Sequence, residues 1–184
     1  HTNTNDSTIK TVIDTWYEEN LLSYSSYLAD SGFCGDRSLS SGTGIAKTTT
    51  YYGAYNRLYT NKTPQFACPQ SNDLYTTASS TKGNKALDYP IGLITADEVA
   101  YAGGKYPSSN NSYYLYTGAN YWTMSPRNFY GSNANGWLVN AIGSLAVDYV
   151  NYSFGSRPVI NLVSGIEITG GDGTSSNPYV IKNN

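Results

Sequence analysis

The residues that most often carry chemistry are scarce in this 184-residue chain and poorly placed for it. Its one histidine is His1, at the terminus, which removes a Ser-His-Asp triad, a Cys-His pair and a histidine-based zinc site. Two cysteines, Cys34 and Cys68, are too few for a structural zinc site. No P-loop or dinucleotide fingerprint is present, and Gly42-Thr43-Gly44 reads as a flexible loop. A glycan hydrolase needs only two carboxylates, and the candidates are Asp88, Asp97, Glu98, Asp148, Glu167 and Asp172. A helix N-terminus accounts for Asp97 and Glu98, and a turn before a strand accounts for Asp88. Asp148 and Glu167 fall in strand-like segments with no supporting cluster. Asp172 lies in a polar turn that lacks the alternating acids and distal glutamate of a calcium loop. The expectation is no catalytic residue, no metal and no cofactor.

What the chain has in quantity is tyrosine and asparagine, nineteen of each, while charged residues are only 13%. Between residues 106 and 156, eight Tyr, eight Asn, eight Ser and five Gly make up 29 of 51 positions, and only Arg127 and Asp148 are charged. Tyrosine offers rigid amphipathic contact area at low entropy cost, and Ser, Gly and Asn add adaptable hydrogen bonds, as in antibody paratopes. Turns and AT-rich coding also favour some of these residues, but AT-rich coding should raise lysine too, and there are seven. A recognition face is therefore expected here. No basic stripe follows any element, so nucleic acid is not an expected partner.

The elements that must hold this face are legible in part. Ile9, Val12, Ile13, Trp16, Tyr17 and Leu21 form one apolar stripe at helical spacing, with Asp6 or Ser7 as cap, predicting a helix over 7–22. Residues 31–85 read as loop-rich, with a hairpin around Tyr51-Tyr52-Gly53. A short buried strand over 88–94 leads into Thr95-Ala96-Asp97-Glu98, a capping box, and a helix over 96–102 stopped by Gly103-Gly104. Strands follow at 121–125, before Pro126, and at 137–142 and 145–150 around a two-residue turn at Gly143-Ser144. Further strands are expected at 157–163, 166–168 and 179–181. Cys34 and Cys68 sit in polar, loop-like surroundings, and an even count favours a disulfide in an oxidising compartment over two free thiols. The class is α+β: two helices packed on a twisted, mostly antiparallel sheet with long loops. One domain is expected over 1–184, with 1–6 a flexible tail and 169–184 a C-terminal extension.

Three segments carry a resemblance: Tyr121-Trp-Thr-Met-Ser-Pro126, Gly155-Ser-Arg-Pro-Val-Ile-Asn-Leu162 and Tyr89-Pro-Ile-Gly-Leu-Ile-Thr-Ala-Asp-Glu-Val99. With them the chain resembles C-type-lectin-fold domains related to formylglycine-generating enzymes, found in surface and pilin-like proteins of Gram-positive gut bacteria. Some of these are variable proteins of diversity-generating retroelements. The likeness spans roughly 10–168. The C-terminal cysteine pair of the enzymes is missing, as is the Glu-Pro-Asn or Gln-Pro-Asp signature of calcium-dependent sugar binding, so neither activity carries over.

The resemblance to the variable proteins implies that ligand-facing residues lie between the two later motifs: Asn128, Tyr130, Ser132, Asn133, Asn135, Asn140, Ser144, Asp148, Asn151, Tyr152 and Phe154. It makes Trp122, Trp137, Arg157 and Pro158 scaffold, with Arg157 bracing backbone carbonyls. Adenine-directed diversification cannot produce Lys, Glu, Gln, Met or Trp, and residues 127–156 contain none of these except Trp137. The expected function is a non-catalytic, extracellular or cell-surface binding module for a protein or glycan. The alternatives are a pilin-like or surface-layer structural subunit and, third, a carboxylate-dependent glycan hydrolase. Any membrane attachment is expected through an anchor preceding His1.

Overall fold

The structure is a computed structural model that describes residues 5–44, 49–174 and 176–182. Residues 1–4 of the expected tail, and 175, 183 and 184 of the expected extension, lie outside the described residues.

The first helix, α1 (Thr8–Asn20), starts at Ser7, whose hydroxyl accepts from the Lys10 amide. Its stripe splits: Ile13 and Tyr17 are buried, while Val12 and Trp16 stay exposed. The stripe is wider than the surface available to cover it. The chain then runs through β1 (Phe33–Cys34), β2 (Leu39–Ser41) and β3 (Thr50–Tyr52). Where a hairpin turn was expected, Gly53 instead opens a helical segment. It comprises α2 (Gly53–Tyr55) and a π-helical turn over Asn56–Asn61. After β4 (Leu74–Tyr75) and β5 (Ile91–Leu93) comes α3 (Ala96–Ala102). The capping box of α3 is complete: Thr95 Oγ1 accepts from the Glu98 amide and Glu98 Oε2 from the Thr95 amide, while Gly103 ends the helix at a φ of 117°.

The remaining strands are β6 (Tyr121–Tyr130), β7 (Asn133–Val139), β8 (Leu145–Tyr149), β9 (Pro158–Ile160), β10 (Glu167–Gly170) and β11 (Val180–Lys182). The class is α+β, and every strand pair is antiparallel. Among the described residues the strands form one five-stranded sheet, ordered β2-β3-β6-β7-β8, and three two-stranded pairs, β1-β4, β5-β9 and β10-β11. Three expectations need revision. Strand β6 does not stop before Pro126 but continues to Tyr130 through register shifts on either side of Pro126. A bulge tolerates the missing proline N–H. The β6–β7 connection is a two-residue loop, Gly131-Ser132, that had not been anticipated. The β7–β8 turn spans 140–144 rather than two residues, because Asn140 Oδ1 accepts from the amides of Ile142 and Ser144.

Register explains the layering. The row Trp122–Leu138–Ala146 lies on one sheet face and packs with Ile13 and Tyr17 of α1 and with Ile91 and Leu93 of β5. The next row, Tyr121–Val139–Leu145, lies on the opposite face and packs with Ala54, Leu58, Ala96 and Val99 from the helical segments. The five-stranded sheet is thus sandwiched, with Trp137 wholly buried on the second face. Cys34 and Cys68 are disulfide-bonded, fastening the loop after the π-turn to β1. In the chain-entropy view, closing a loop with this separation of 34 residues contributes about 3–4 kcal/mol.

Candidate functional site

The sheet face that carries Trp137 is covered along only part of its length. Beyond Trp137, toward the β6–β7 tip, register aligns Tyr51 with Asn128, Asn128 with Asn135 and Asn135 with Tyr149. Directly paired residues share a face, so these four form one row across β3, β6, β7 and β8. No core cluster includes them. They line an open hollow of about 390 Å³, together with Arg127, Tyr130, Val147 and Asp148.

The bulge between Pro126 and Asn128 gives the hollow its chemistry. In a regular strand Arg127 and Asn128 would point to opposite faces, but here both line the hollow. A bulge re-aims a side chain in this way. The guanidinium of Arg127 lies over Tyr55, Trp137 and Tyr51, with its carbon 5.0, 5.7 and 6.0 Å from the ring centroids. Its Nη1 donates to Asn128 Oδ1 at 2.6 Å. The rings continue as a ladder from Tyr51 to Tyr55 (4.3 Å), Tyr59 (5.1 Å), Tyr106 (5.5 Å) and Trp137 (5.3 Å). Burial and the neighbouring Tyr51 and Tyr59 push the Tyr55 hydroxyl up from its usual pKa, against the opposing pull of Arg127.

The residues expected to face a ligand divide into three groups. Asn128, Tyr130, Asn135 and Asp148 line the hollow. Tyr130 is 63% exposed, but Asn128 is only 4% exposed and belongs to the floor. Ser132 and Asn133 are exposed at the β6–β7 tip, and Asn151 and Tyr152 on the segment after β8. Phe154 is half-buried against Trp122, 5.1 Å between centroids, with Tyr152 at 6.2 Å on its other side. Asn140 and Ser144 form the third group, and Ser144 requires correction. They sit in the β7–β8 turn, at the other end of the strands from the tip. Ser144 is 2% exposed, with Oγ 2.7 Å from the Leu145 carbonyl and 3.1 Å from that of Lys105. Ser144 is thus buried in the turn and not a contact residue, while Asn140 is half-buried with its Oδ1 engaged in fixing the turn.

Among the expected scaffold residues, Trp122 and Trp137 are buried. Arg157 donates to the Leu115 carbonyl at 2.7 Å, with its guanidinium over Tyr121. Pro158 pairs with Leu93. Sequence reasoning missed Tyr51, Val147 and Tyr149 as parts of the hollow, and Arg127 as more than an isolated charge.

A second cavity, of about 300 Å³, lies under the disulfide and reaches Asp36, Arg57, Asp97 and Phe66. There Arg57 binds Asp97 through Nε and Nη2, both at 2.8 Å, and Asp36 through Nη1 at 2.8 Å. Asp97 also accepts from the Gln65 amide. Partial burial opposes the charge on Arg57, but the hydrogen bonds and charges of Asp97 and Asp36 outweigh it and raise its pKa. These carboxylates are fully engaged in a structural ion cluster.

Among the described residues, no group of three or more His, Cys, Asp or Glu is placed to hold a metal ion. Among the same residues, no helix is long and apolar enough to cross a membrane. Asp172 Oδ1 accepts from the Thr174 amide and hydroxyl, which closes its turn and lowers the Asp172 pKa. Comparisons with protein-family models, curated proteins and solved structures found no match.

Proposed function

We propose that the protein is a non-catalytic, extracellular or cell-surface binding module that uses the uncovered end of its central sheet to hold a ligand. The observation that carries this reading is the row Tyr51–Asn128–Asn135–Tyr149 with Arg127 turned in beside it. A half-sandwiched sheet would normally bury such a face or cover it with charge. This one presents tyrosine and asparagine, with Tyr130 lining the hollow, Tyr152 5.9 Å from Tyr149, and Ser132 and Asn133 exposed at the adjoining β6–β7 tip. Tyrosine anchors with polar neighbours suit recognition without bond-making. The disulfide is compatible with an extracellular setting.

The C-type-lectin-like reading of the fold, related to formylglycine-generating enzymes, draws support from how its three segments meet. Strand β5 pairs with β9, so Ile91 faces Ile160 and Leu93 faces Pro158. Ser125 Oγ accepts from the Ala96 amide at the start of α3, and the Trp122 amide donates to the Gly155 carbonyl. The resemblance segments are therefore one connected scaffold, with the Tyr/Asn stretch carried between two of them. That arrangement suits a receptor whose face varies while its frame stays fixed, as in variable proteins of diversity-generating retroelements.

A structural-subunit reading has its own observation. Val12 and Trp16 on α1, and Ile168, Tyr179 and Val180 on the β10–β11 hairpin, are exposed apolar residues away from the hollow. A hydrolase reading has less, since Asp148 and Glu167 belong to different sheets.

Amide-shift mapping with a library of small soluble fragments tests the proposal. Fragment-induced shifts should cluster at Tyr51, Asn128, Asn135 and Tyr149. Shifts concentrated on α1 or the β10–β11 hairpin would instead support the structural subunit.

A further inference from the structure

Each of the four arginines resolves its charge differently, and the differences identify one that is left over. Arg37 is paired with Asp73, and Arg57 with Asp36 and Asp97. Arg157 donates to a backbone carbonyl. Arg127, like Arg157, has no carboxylate within ion-pair distance among the described residues, but it lines the open hollow, and its guanidinium donates to the neutral amide oxygen of Asn128. A guanidinium carries five N–H donors in a planar fork that matches a carboxylate. Among the described residues, the Nε of Arg127 is buried without a hydrogen-bond partner, and so is the indole Nε1 of Trp137, over whose ring the guanidinium lies. Buried polar groups are nearly always satisfied, so two unsatisfied donors beside one unpaired cation call for an explanation.

Ring faces explain how the cation is held there, but not what it serves. Three aromatic rings fix the plane of the guanidinium and shield its flanks, with an attraction of modest size. They supply no negative charge. A cation preorganised in this way, at the edge of an open hollow, is a ready-made partner for an anionic group. The one acid lining the hollow, Asp148, does not reach Arg127: its Oδ1 accepts from the adjacent Tyr149 amide at 2.9 Å. Asp148 therefore gives the hollow a polarity, favouring an anion on the Arg127 side and opposing one on its own.

We propose that the hollow takes an Asp or Glu side chain from a protein ligand, with the Arg127 guanidinium receiving the carboxylate and Tyr51 and Tyr149 flanking the chain that carries it. This deepens the binding-module reading and rests on it. A protein ligand is favoured over a glycan because the hollow carries exposed tyrosine rings, Tyr130 and Tyr149, with Tyr152 5.9 Å from Tyr149. Exposed tyrosines are enriched where protein partners bind.

The test is selection of a displayed library of random peptides on the whole protein, with uronate-containing oligosaccharides assayed in parallel. Selected peptides should be enriched in Asp and Glu, and Tyr130→Ala should abolish their binding. Arg127→Gln should weaken them by about ten- to a hundredfold, the range for losing a charge-assisted hydrogen-bonded pair. Arg127→Lys should lose less, and Asp148→Asn should tighten binding. Melting temperatures check that each variant folds, and Asp148→Asn keeps the test decisive if Arg127→Gln does not. Peptides that bind the hollow without acidic enrichment, or that ignore both charge changes, would overturn the carboxylate assignment and leave the binding face standing. Arg127-dependent capture of uronates in place of peptides would overturn the protein ligand. If neither probe binds in a way that depends on Tyr130, both this inference and the binding-face reading fail.

Discussion

Arg57 and Arg127 show how the same side chain serves opposite ends in one molecule. Arg57 is enclosed by two aspartates that are themselves buried, so its removal would strand two desolvated charges. Breaking such a cluster typically costs about 3–5 kcal/mol. Arg57→Ala is expected to lower unfolding free energy by about that much in urea titrations, and an effect below about 1 kcal/mol, the surface-pair range, would contradict the cluster's burial. Arg127 is held by ring faces instead of acids, which is what suits it to the proposed carboxylate partner.

At this scale the sequence was partly readable. Trp122 and Trp137 are buried and Arg157 donates to the Leu115 carbonyl; large or planar side chains beside strand motifs have few other uses. Asn128 and Ser144 were not readable as floor and turn residues. Their composition suits a surface, and only the register of strands far apart in sequence decides which face they occupy.

Among the elements, those set by local chemistry were legible and those set by distant pairing were not. The α3 capping box lies within four consecutive residues, Thr95 to Glu98, and formed as read. The β10–β11 pair was readable from two short apolar runs flanking a polar turn. The helical segment after Gly53 was missed, although Tyr51, Tyr55 and Tyr59 recur at intervals of four and stack in that order. That spacing is a helical signal, obscured by the many tyrosines around it. The β7–β8 turn was read as two residues because Gly143-Ser144 has the composition of a tight hairpin. The glycine is needed for another reason: its φ is 74°, and a Cβ there would collide with the Asn110 carbonyl. The bulge at Pro126 is the element-level feature on which the proposed binding turns, since without it Arg127 would face away from the hollow.

The whole molecule is a sheet sandwiched by α1 and β5 on one side and by α2, the π-turn and α3 on the other, with one end of the second face uncovered. Its interior is rich in tyrosine, which makes stability depend on alkaline pH. Burial raises the hydroxyl pKa values of Tyr17, Tyr52, Tyr113 and Tyr121, with Arg37 opposing it at Tyr52 and Arg157 at Tyr113 and Tyr121. In the unfolded chain these groups ionise near the usual value of about 10. Their stabilising contribution is therefore complete below about pH 10 and is lost as pH rises through the folded-state values. Urea midpoints should hold steady from about pH 7 to 9 and fall above about 10, with phenolate absorbance from these tyrosines appearing only as the protein unfolds. A midpoint that stays level to about pH 11.5 would mean that these rings are not desolvated.

The central claim is that the uncovered sheet end is where a partner docks. Tyr130 and Tyr152 are 63% and 51% exposed, so truncating either should leave the fold intact. The most direct measurement is binding of the wild type, Tyr130→Ala and Tyr152→Ala to arrays of surface proteins and glycans, with melting temperatures recorded alongside. The account predicts a ligand bound by the wild type and lost by both variants, with melting temperatures unchanged within about 2 °C, as expected for exposed positions. A ligand bound equally by all three proteins would contradict it.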